Sequence, residues 1–343
     1  MKVQNSKPFS LVGPIKYQIR SVIHLVWAMW WVLFQRLIRG PKAPGWTLAF
    51  EISNTFMQMQ IVHAFDKEDI NEGREYLDSL VFHSPALAEI KIETTKVPVE
   101  GNWFYPPNPS NKSRILYFHG GGYAYFAKVH LVFLANVAKF TNLSLFALDY
   151  PLIPENPFPA QLEHALKAYE WLIENNFSAD NLTIMGDSAG VNLCLALLLK
   201  LREMNLPLPS STVALCPWTD VANSGESMTA NEAFDWIERR MADQWAEWFL
   251  DGRSSEENLI SPIQADFRGL TPIYIQAGGK EILIDMIHEF YERAVSQGAD
   301  IKLDVWPSMT HDFQAYGEDL EEASEALTRI SQFILPTEGA ADQ

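Results

Sequence analysis

Leu182-Thr183-Ile184-Met185-Gly186-Asp187-Ser188-Ala189-Gly190-Val191-Asn192-Leu193-Cys194-Leu195-Ala196-Leu197-Leu198-Leu199-Lys200 is the stretch whose reading decides the fold. Residues 182–185 are a short apolar run of the kind that forms a buried strand, and residues 191–200 read as a buried helix. Between them stands Gly-x-Ser-x-Gly. That pentapeptide alone arises by chance in roughly a few per cent of chains this long. Placed on a strand, a sharp turn and a helix, it predicts a nucleophile elbow with Ser188 at its tip.

A second glycine-framed motif lies upstream. His119-Gly120-Gly121-Gly122-Tyr123 follows the strand-like Ile115-Leu116-Tyr117-Phe118. The negative oxygen formed during acyl transfer is stabilised by preorganised N–H groups, and residues without Cβ let the backbone approach it closely. Gly121 and Gly122 are the expected donors from this loop, and Ala189 the expected donor from the start of the helix after Ser188.

A serine hydroxyl needs a base within hydrogen-bond reach and a carboxylate to orient that base. Where a serine sits on such an elbow, the chain order is Ser, acid, His. Only His288 and His311 follow Ser188. His288 falls in the middle of a helical pattern, whereas His311 lies in the loop after the apolar run 301–306, at a strand's C-terminal end. His311 is therefore the expected base. Glu281 and Asp285 both follow the preceding strand; Glu281 is nearer the strand end and has the longer reach. Asp187, although adjacent to Ser188, points away from the base and is expected to be structural.

Strand-like runs at 90–99, 114–118, 144–148, 182–185, 212–215, 272–277 and 301–306 alternate with helical patterns at 162–174, 188–203, 282–296 and 320–333. This alternation predicts an α/β fold with a mostly parallel central sheet flanked by helices. Residues 218–268 break it: they hold helical stretches but no clear strand, so they read as an insertion after a core strand. Trp236, Met241, Trp245, Trp248 and Phe249 recur there at helical spacing. The expected division is a hydrophobic N-terminal helix in 1–40, further helices in 41–88, a catalytic domain in 89–217 and 269–336, the insertion at 218–268, and a flexible tail at 337–343.

The N-terminal run Val22-Ile23-His24-Leu25-Val26-Trp27-Ala28-Met29-Trp30-Trp31-Val32-Leu33-Phe34 is apolar on every helical face except at His24. Lys16, Arg20, Arg36 and Arg39 flank it. Thirteen apolar residues fall short of the ~20 that span a bilayer. Three tryptophans between basic flanks suit an interfacial helix or a short anchor, and packing within a cap is the competing expectation. The chain is thus expected to associate with a membrane through this helix and to be otherwise cytoplasmic. Four Asn-x-Ser/Thr sequons, at Asn111, Asn142, Asn176 and Asn181, would suit a lumenal or secreted chain.

Over 343 residues, 26 basic side chains face 43 acidic ones. A formal charge of −17 argues against a nucleic-acid partner, which needs clustered Lys and Arg. Cys194 and Cys216 form neither metal spacing nor a disulfide framework.

His119-Gly120-Gly121-Gly122 and Gly186-Asp187-Ser188-Ala189-Gly190 together make the chain resemble the hormone-sensitive lipase family of α/β-hydrolases, the bacterial family IV esterases. Asp149-Tyr150-Pro151-Leu152-Ile153-Pro154-Glu155-Asn156-Pro157-Phe158-Pro159-Ala160 is similar to the family's segment between a core strand and the next helix, with Pro151 in place of the more usual Arg or Ser. Gly278-Gly279-Lys280-Glu281-Ile282-Leu283-Ile284-Asp285 is similar to its acid motif. The resemblance implies that Glu281 is the acid, that the insertion and the N-terminal helices cap the substrate pocket, and that homodimers are common.

The expected activity is serine carboxylesterase action on hydrophobic esters through an acyl-enzyme, with Ser188, His311 and Glu281 as the triad and no metal or organic cofactor. The partner is a small-molecule ester. Cleavage of amides, thioesters or lactones, or deacetylation of a lipid or sterol, would use the same groups. A non-catalytic binding protein and a membrane-tethered interaction protein are the readings from other classes. Activity is expected to rise as His311 loses its proton, near pH 6.5 if the site shifts it little.

Overall fold

The computed structural model describes residues 9–335 except Asn176, so the tail at 337–343 and the sequon at Asn176 lie outside it. The strands are β1 (Phe9–Leu11), β2 (Leu80–Phe82), β3 (Lys91–Thr95), β4 (Gly101–Tyr105), β5 (Ser110–Phe118), β6 (Leu143–Leu148), β7 (Leu182–Asp187), β8 (Ser211–Leu215), β9 (Ile273–Gly278) and β10 (Ile301–Trp306). The helices are α1 (Ile15–Arg39), α2 (Leu48–Phe65), α3 (Ile70–Asp78), α4 (Pro85–Glu89), α5 (Val129–Thr141), α6 (Ala160–Glu174), α7 (Ala189–Glu203), α8 (Ser227–Ala230), α9 (Arg239–Leu250), α10 (Ile284–Gln297) and α11 (Glu321–Ile334).

Eight strands form one sheet in the order β10-β9-β8-β7-β5-β6-β4-β3, parallel from β10 to β6, with β4 antiparallel to both of its neighbours. Every residue of β6, β7, β8 and β9 is buried. Burial on both faces explains why these strands read as continuous apolar runs rather than alternating ones. One face packs against α6, α7 and α10, the other against α5 and α11.

The chain runs from β5 to β6 on one side and returns to β7 on the other. Loops leaving β5 and β7 therefore diverge at a topological switch point, where open α/β sheets bind ligands. His119 follows β5 and Ser188 follows β7, so both glycine-framed motifs open onto this crevice.

The expected strand at 90–99 is instead β3 followed by a turn, with the unforeseen β4 completing an antiparallel hairpin. Pro98, which has no N–H to donate, stands in that turn. The alternation also passed over α5, whose residues 133–138 are all buried. Ala86 of α4 and Ile90 pack in the core with α5, so the catalytic core draws on residues before 89 as well.

Helix α1 extends well beyond the thirteen-residue apolar run: its 25 residues make it about 37 Å long. It is long and apolar enough to cross a membrane by length and composition. Its buried face is Tyr17, Ser21, His24, Ala28 and Val32, set against α2 and α3. His24, the polar residue of the run, thus lies inside, near the Tyr76 hydroxyl (3.4 Å). Val26, Trp27, Trp30, Leu33 and Phe34 face outward.

Candidate active site

Ser188 ends β7 and begins α7 with φ 52° and ψ −119°, a backbone conformation that costs of order 1–3 kcal/mol. The surroundings hold it there. Its N–H donates to Leu215 O (2.8 Å) on β8, and its carbonyl accepts the Trp218 N–H (3.2 Å). A Cβ at Gly190 would collide with the carbonyl of Phe118, so only glycine lets α7 start this close to β5.

His311 follows β10 and Glu281 follows β9, both fully enclosed. Their link is direct: His311 Nδ1 lies 2.7 Å from Glu281 Oε2. The other carboxylate oxygen, Oε1, accepts the Gly278 N–H (2.8 Å), which fixes the rotamer of the acid. Asp285 is turned elsewhere and accepts the Ser227 N–H (2.8 Å) at the start of α8. His288 is exposed on α10. Of the two candidate acids and two candidate bases, the fold therefore pairs Glu281 with His311.

Ser188, His311, Gly121 and Gly122 line one cavity of about 110 Å³, whose further walls are Met57 and Ile61 of α2, Leu77 of α3, Val129 and Phe133 of α5, and Trp236, Ile237 and Trp245 of the insertion. Gly121 has φ +90°, and a Cβ there would strike the carbonyl of Tyr125. The loop is set from both sides. Gly120 N–H donates to Asp187 Oδ2 (2.9 Å), while the ring of His119 is stacked between Phe126 and Tyr150 with centroids at 4.0 and 4.1 Å. Burial, then the nearby His130, lower the His119 pKa to about 3, so its neutral ring acts as a spacer rather than a proton carrier.

The N-terminal helices and the insertion meet over this cavity. Asn54 Nδ2 donates to Phe234 O (2.8 Å), Trp236 Nε1 to Asn54 Oδ1 (2.6 Å), and Gln58 Nε2 to Glu232 O (3.0 Å). Arg74 of α3 binds Glu155 through both carboxylate oxygens (2.6 and 2.9 Å) and also donates to Ala124 O and Ile153 O. It thereby ties the cap to the glycine loop and to the segment after β6. Of the residues singled out in the insertion, Trp236 and Trp245 reach the cavity; Met241 and Phe249 lie in the core, and Trp248 is packed against it.

Three groups at the site carried no motif. Asp235 is fully buried and accepts the N–H groups of Ile282 and Trp236, both at 2.6 Å, which fastens the segment after Glu281 to the insertion. Burial raises its pKa to about 6. Cys216 Sγ accepts the Asp312 N–H (3.2 Å) and lies in one cluster with Glu281 and His311. Its thiol is held protonated by burial, and Nδ1 of His311 is committed to Glu281, so these groups are engaged with the protein itself. The third is Asp312, whose Oδ2 lies 3.3 Å from His311 Nε2.

Burial alone would lower the His311 pKa, but Asp312 and then Glu281 outweigh it and hold the imidazole well above its ordinary value. The condition for titration near pH 6.5, a site that shifts the base little, is not met. Asp312, six residues past the end of β10 and outside any motif, gave no signal in the sequence.

A serine elbow and a buried carboxylate–imidazole pair on the C-terminal edge of a mostly parallel sheet define an α/β hydrolase. The α/β hydrolase fold family matches residues 115–315. The chain is 33% identical over 240 residues to an acetyl-hydrolase of Streptomyces hygroscopicus, covering 69% of this chain and 80% of that protein. It is 29% identical over 266 residues to an esterase of Acinetobacter venetianus, covering 77% and 88%. A crystal structure of an esterase from the bacterial hormone-sensitive lipase family superposes with a TM-score of 0.74 at 32% identity, over 81% of this chain and 95% of that one. The chain belongs to the α/β-hydrolase fold family and groups with the esterases of its hormone-sensitive lipase branch.

Proposed function

We propose that the protein hydrolyses esters of short, apolar carboxylic acids, with Ser188 as nucleophile, His311 as base and Glu281 as the orienting acid. The observation that carries this reading is the 2.7 Å contact between Glu281 and His311, buried at one wall of a cavity that Ser188 also lines. Ser188 Oγ attacks the ester carbonyl and its proton passes to His311 Nε2. The N–H groups of Gly121, Gly122 and Ala189 take the oxygen's negative charge. As the intermediate collapses, Nε2 returns the proton to the leaving alcohol, and water then releases the acid by the same route. Glu281 orients the imidazole and stabilises the imidazolium. The acetyl-hydrolase and esterase names of the relatives agree with this chemistry. A cavity of about 110 Å³, against the ~300 Å³ at which drug-sized ligand pockets begin, favours short acyl groups. Rates on p-nitrophenyl esters of rising chain length test this: the highest kcat/KM falls between acetyl and butyryl, and activity confined to long chains or to amides contradicts it.

A second reading concerns location. The outward face of α1 carries Trp27, Trp30, Trp31 and Phe34 stacked on one another, between Lys16 and Arg20 at one end and Arg39 at the other, while Arg36 is paired with Glu51. Burying that face in the interfacial layer of a bilayer removes apolar area from water, and the basic ends meet anionic headgroups. α1 packs on α2, which lines the cavity, so docking there brings the site's cap against the lipid surface.

A further inference from the structure

We infer that Asp312 reads the alcohol half of the substrate, selecting esters that carry a free hydroxyl on the carbon next to the ester-bearing one. This rests on the roles given above to Ser188, His311 and Glu281.

Asp312 has φ +49°, in the left-handed region where Asp and Asn are among the few side-chain-bearing residues tolerated. That turn aims its carboxylate back at the site. The residue is 8% exposed and lines the same cavity as Ser188. Oδ2 stands 3.3 Å from His311 Nε2 without hydrogen-bond alignment, and Oδ1 and Nε2 are both buried with no hydrogen-bond partner. A buried carboxylate oxygen left unpaired is costly, so a donor from the substrate gains more there than at an exposed site.

The direction follows from the reaction. Nε2 hands its proton to the leaving oxygen, so that oxygen sits within a hydrogen-bond length of Nε2. A hydroxyl on the adjacent carbon lies about one further hydrogen-bond length from the leaving oxygen, and Asp312 is the acceptor beside Nε2 on that side of the cavity. The other cavity walls are mainly Met, Ile, Leu, Val, Phe and Trp side chains; of the polar ones, Asp187 is held by Gly120 and Tyr117 and His130 by Ala127, with Tyr125 also present. The class of substrate is therefore a short-chain monoester of a 1,2-diol or larger polyol.

The test compares 2-hydroxyethyl butyrate with propyl butyrate, which have equal numbers of heavy atoms, on the full chain. The wild type is expected to favour the hydroxy ester about tenfold in kcat/KM. In Asp312→Gly, which keeps the backbone turn without strain, the ratio falls to about one. The ratio cancels any loss common to both esters. A variant-free measurement runs beside it: the wild-type advantage disappears for 3-hydroxypropyl butyrate against butyl butyrate, because the hydroxyl is displaced by one carbon. Equal rates on the first pair, an advantage retained in Asp312→Gly, or an equal advantage for the displaced hydroxyl each overturns the inference. Loss of both rates on Ser188→Ala reports on the triad separately, so the two readings fail independently.

Discussion

Asp187 and Gly120 join the two glycine-framed motifs: the carboxylate beside the nucleophile accepts the first N–H of the glycine loop at 2.9 Å, and its other oxygen accepts the Tyr117 hydroxyl at 2.7 Å. The aspartate of Gly-x-Ser-x-Gly thus sets where the loop stands relative to Ser188. Both of its oxygens are thereby engaged with the protein itself. With Gly120 engaged, Gly121 and Gly122 are the glycines of the loop left for the proposed oxyanion role.

Replacing Asp187 by alanine releases that loop. Misplacing one oxyanion donor costs about 10²–10³ in kcat. Asp187→Ala is expected to lose kcat on p-nitrophenyl butyrate by that order with a smaller change in KM, and Asp187→Asn to lose less, because its amide oxygen still accepts one bond. Steady-state kinetics on the three proteins decide the matter. A change confined to KM contradicts the assignment.

Glu281 and Asp285 are separated by the same assay. Glu281→Gln loses the carboxylate that holds and stabilises the imidazolium, at about 10⁴-fold in kcat. Asp285→Ala loses a hydrogen bond to the Ser227 N–H at the margin of the cap, worth ~1 kcal/mol of stability, and keeps activity within a few fold. The reverse pattern would make Asp285 the acid.

The elements that carried this site could be read because chain order confined the choice: after Ser188 there are two histidines, and one lies inside a helical pattern. Glu281 was legible by its distance from a strand end. Asp312 and Asp235 were not, since each depends on a geometry that no local pattern encodes. Asp235 reaches Ile282 from across the insertion, and Asp312 faces Nε2 only because its own backbone turns left-handed. Helix α5 was passed over for a related reason. Buried residues along one whole stretch leave a weak polar stripe and so a weak helical period, as in α7, where the serine motif supplied the boundary that α5 lacks. The N-terminal run was read as too short because charged and aromatic residues at its ends, Lys16, Tyr17, Arg20 and Arg36, belong to the same helix.

The pH dependence follows from the raised pKa of His311. Its base form is needed for attack, so the acid limb of kcat/KM lies above the ordinary histidine value of about 6.5, and activity climbs on the alkaline side. The charge of Asp312, which faces Nε2, is the largest single contribution raising it; the hydrogen bond and charge of Glu281 and the charge of Asp235 add to the effect. Asp312→Asn therefore moves the limb to lower pH. The stability linkage has the opposite sense: the folded-state pKa exceeds the unfolded one, so the pair's contribution is complete below about pH 6.5 and is lost as pH rises through the folded value. A pH–rate profile whose limb stays fixed in Asp312→Asn contradicts this account.

Helix α1 gives a lipid prediction. Trp27→Ser with Trp30→Ser removes two outward rings without touching the buried Ser21, His24 and Ala28 face. Sedimentation with vesicles containing a third phosphatidylserine should recover the wild type, and the double variant several-fold less. High salt weakens binding through the basic ends. Equal recovery of both proteins, or wild-type self-association in place of vesicle binding, contradicts membrane docking.

The account stands most directly on one number, the kcat/KM of Ser188→Ala on p-nitrophenyl butyrate relative to wild type, measured on protein shown to melt at the same temperature. Removing the hydroxyl that attacks the carbonyl predicts a fall of about 10⁴-fold or more, leaving only the modest rate that the oxyanion donors and binding sustain. A variant that keeps activity within tenfold of wild type contradicts the assignment of Ser188, and with it the roles drawn for His311 and Glu281.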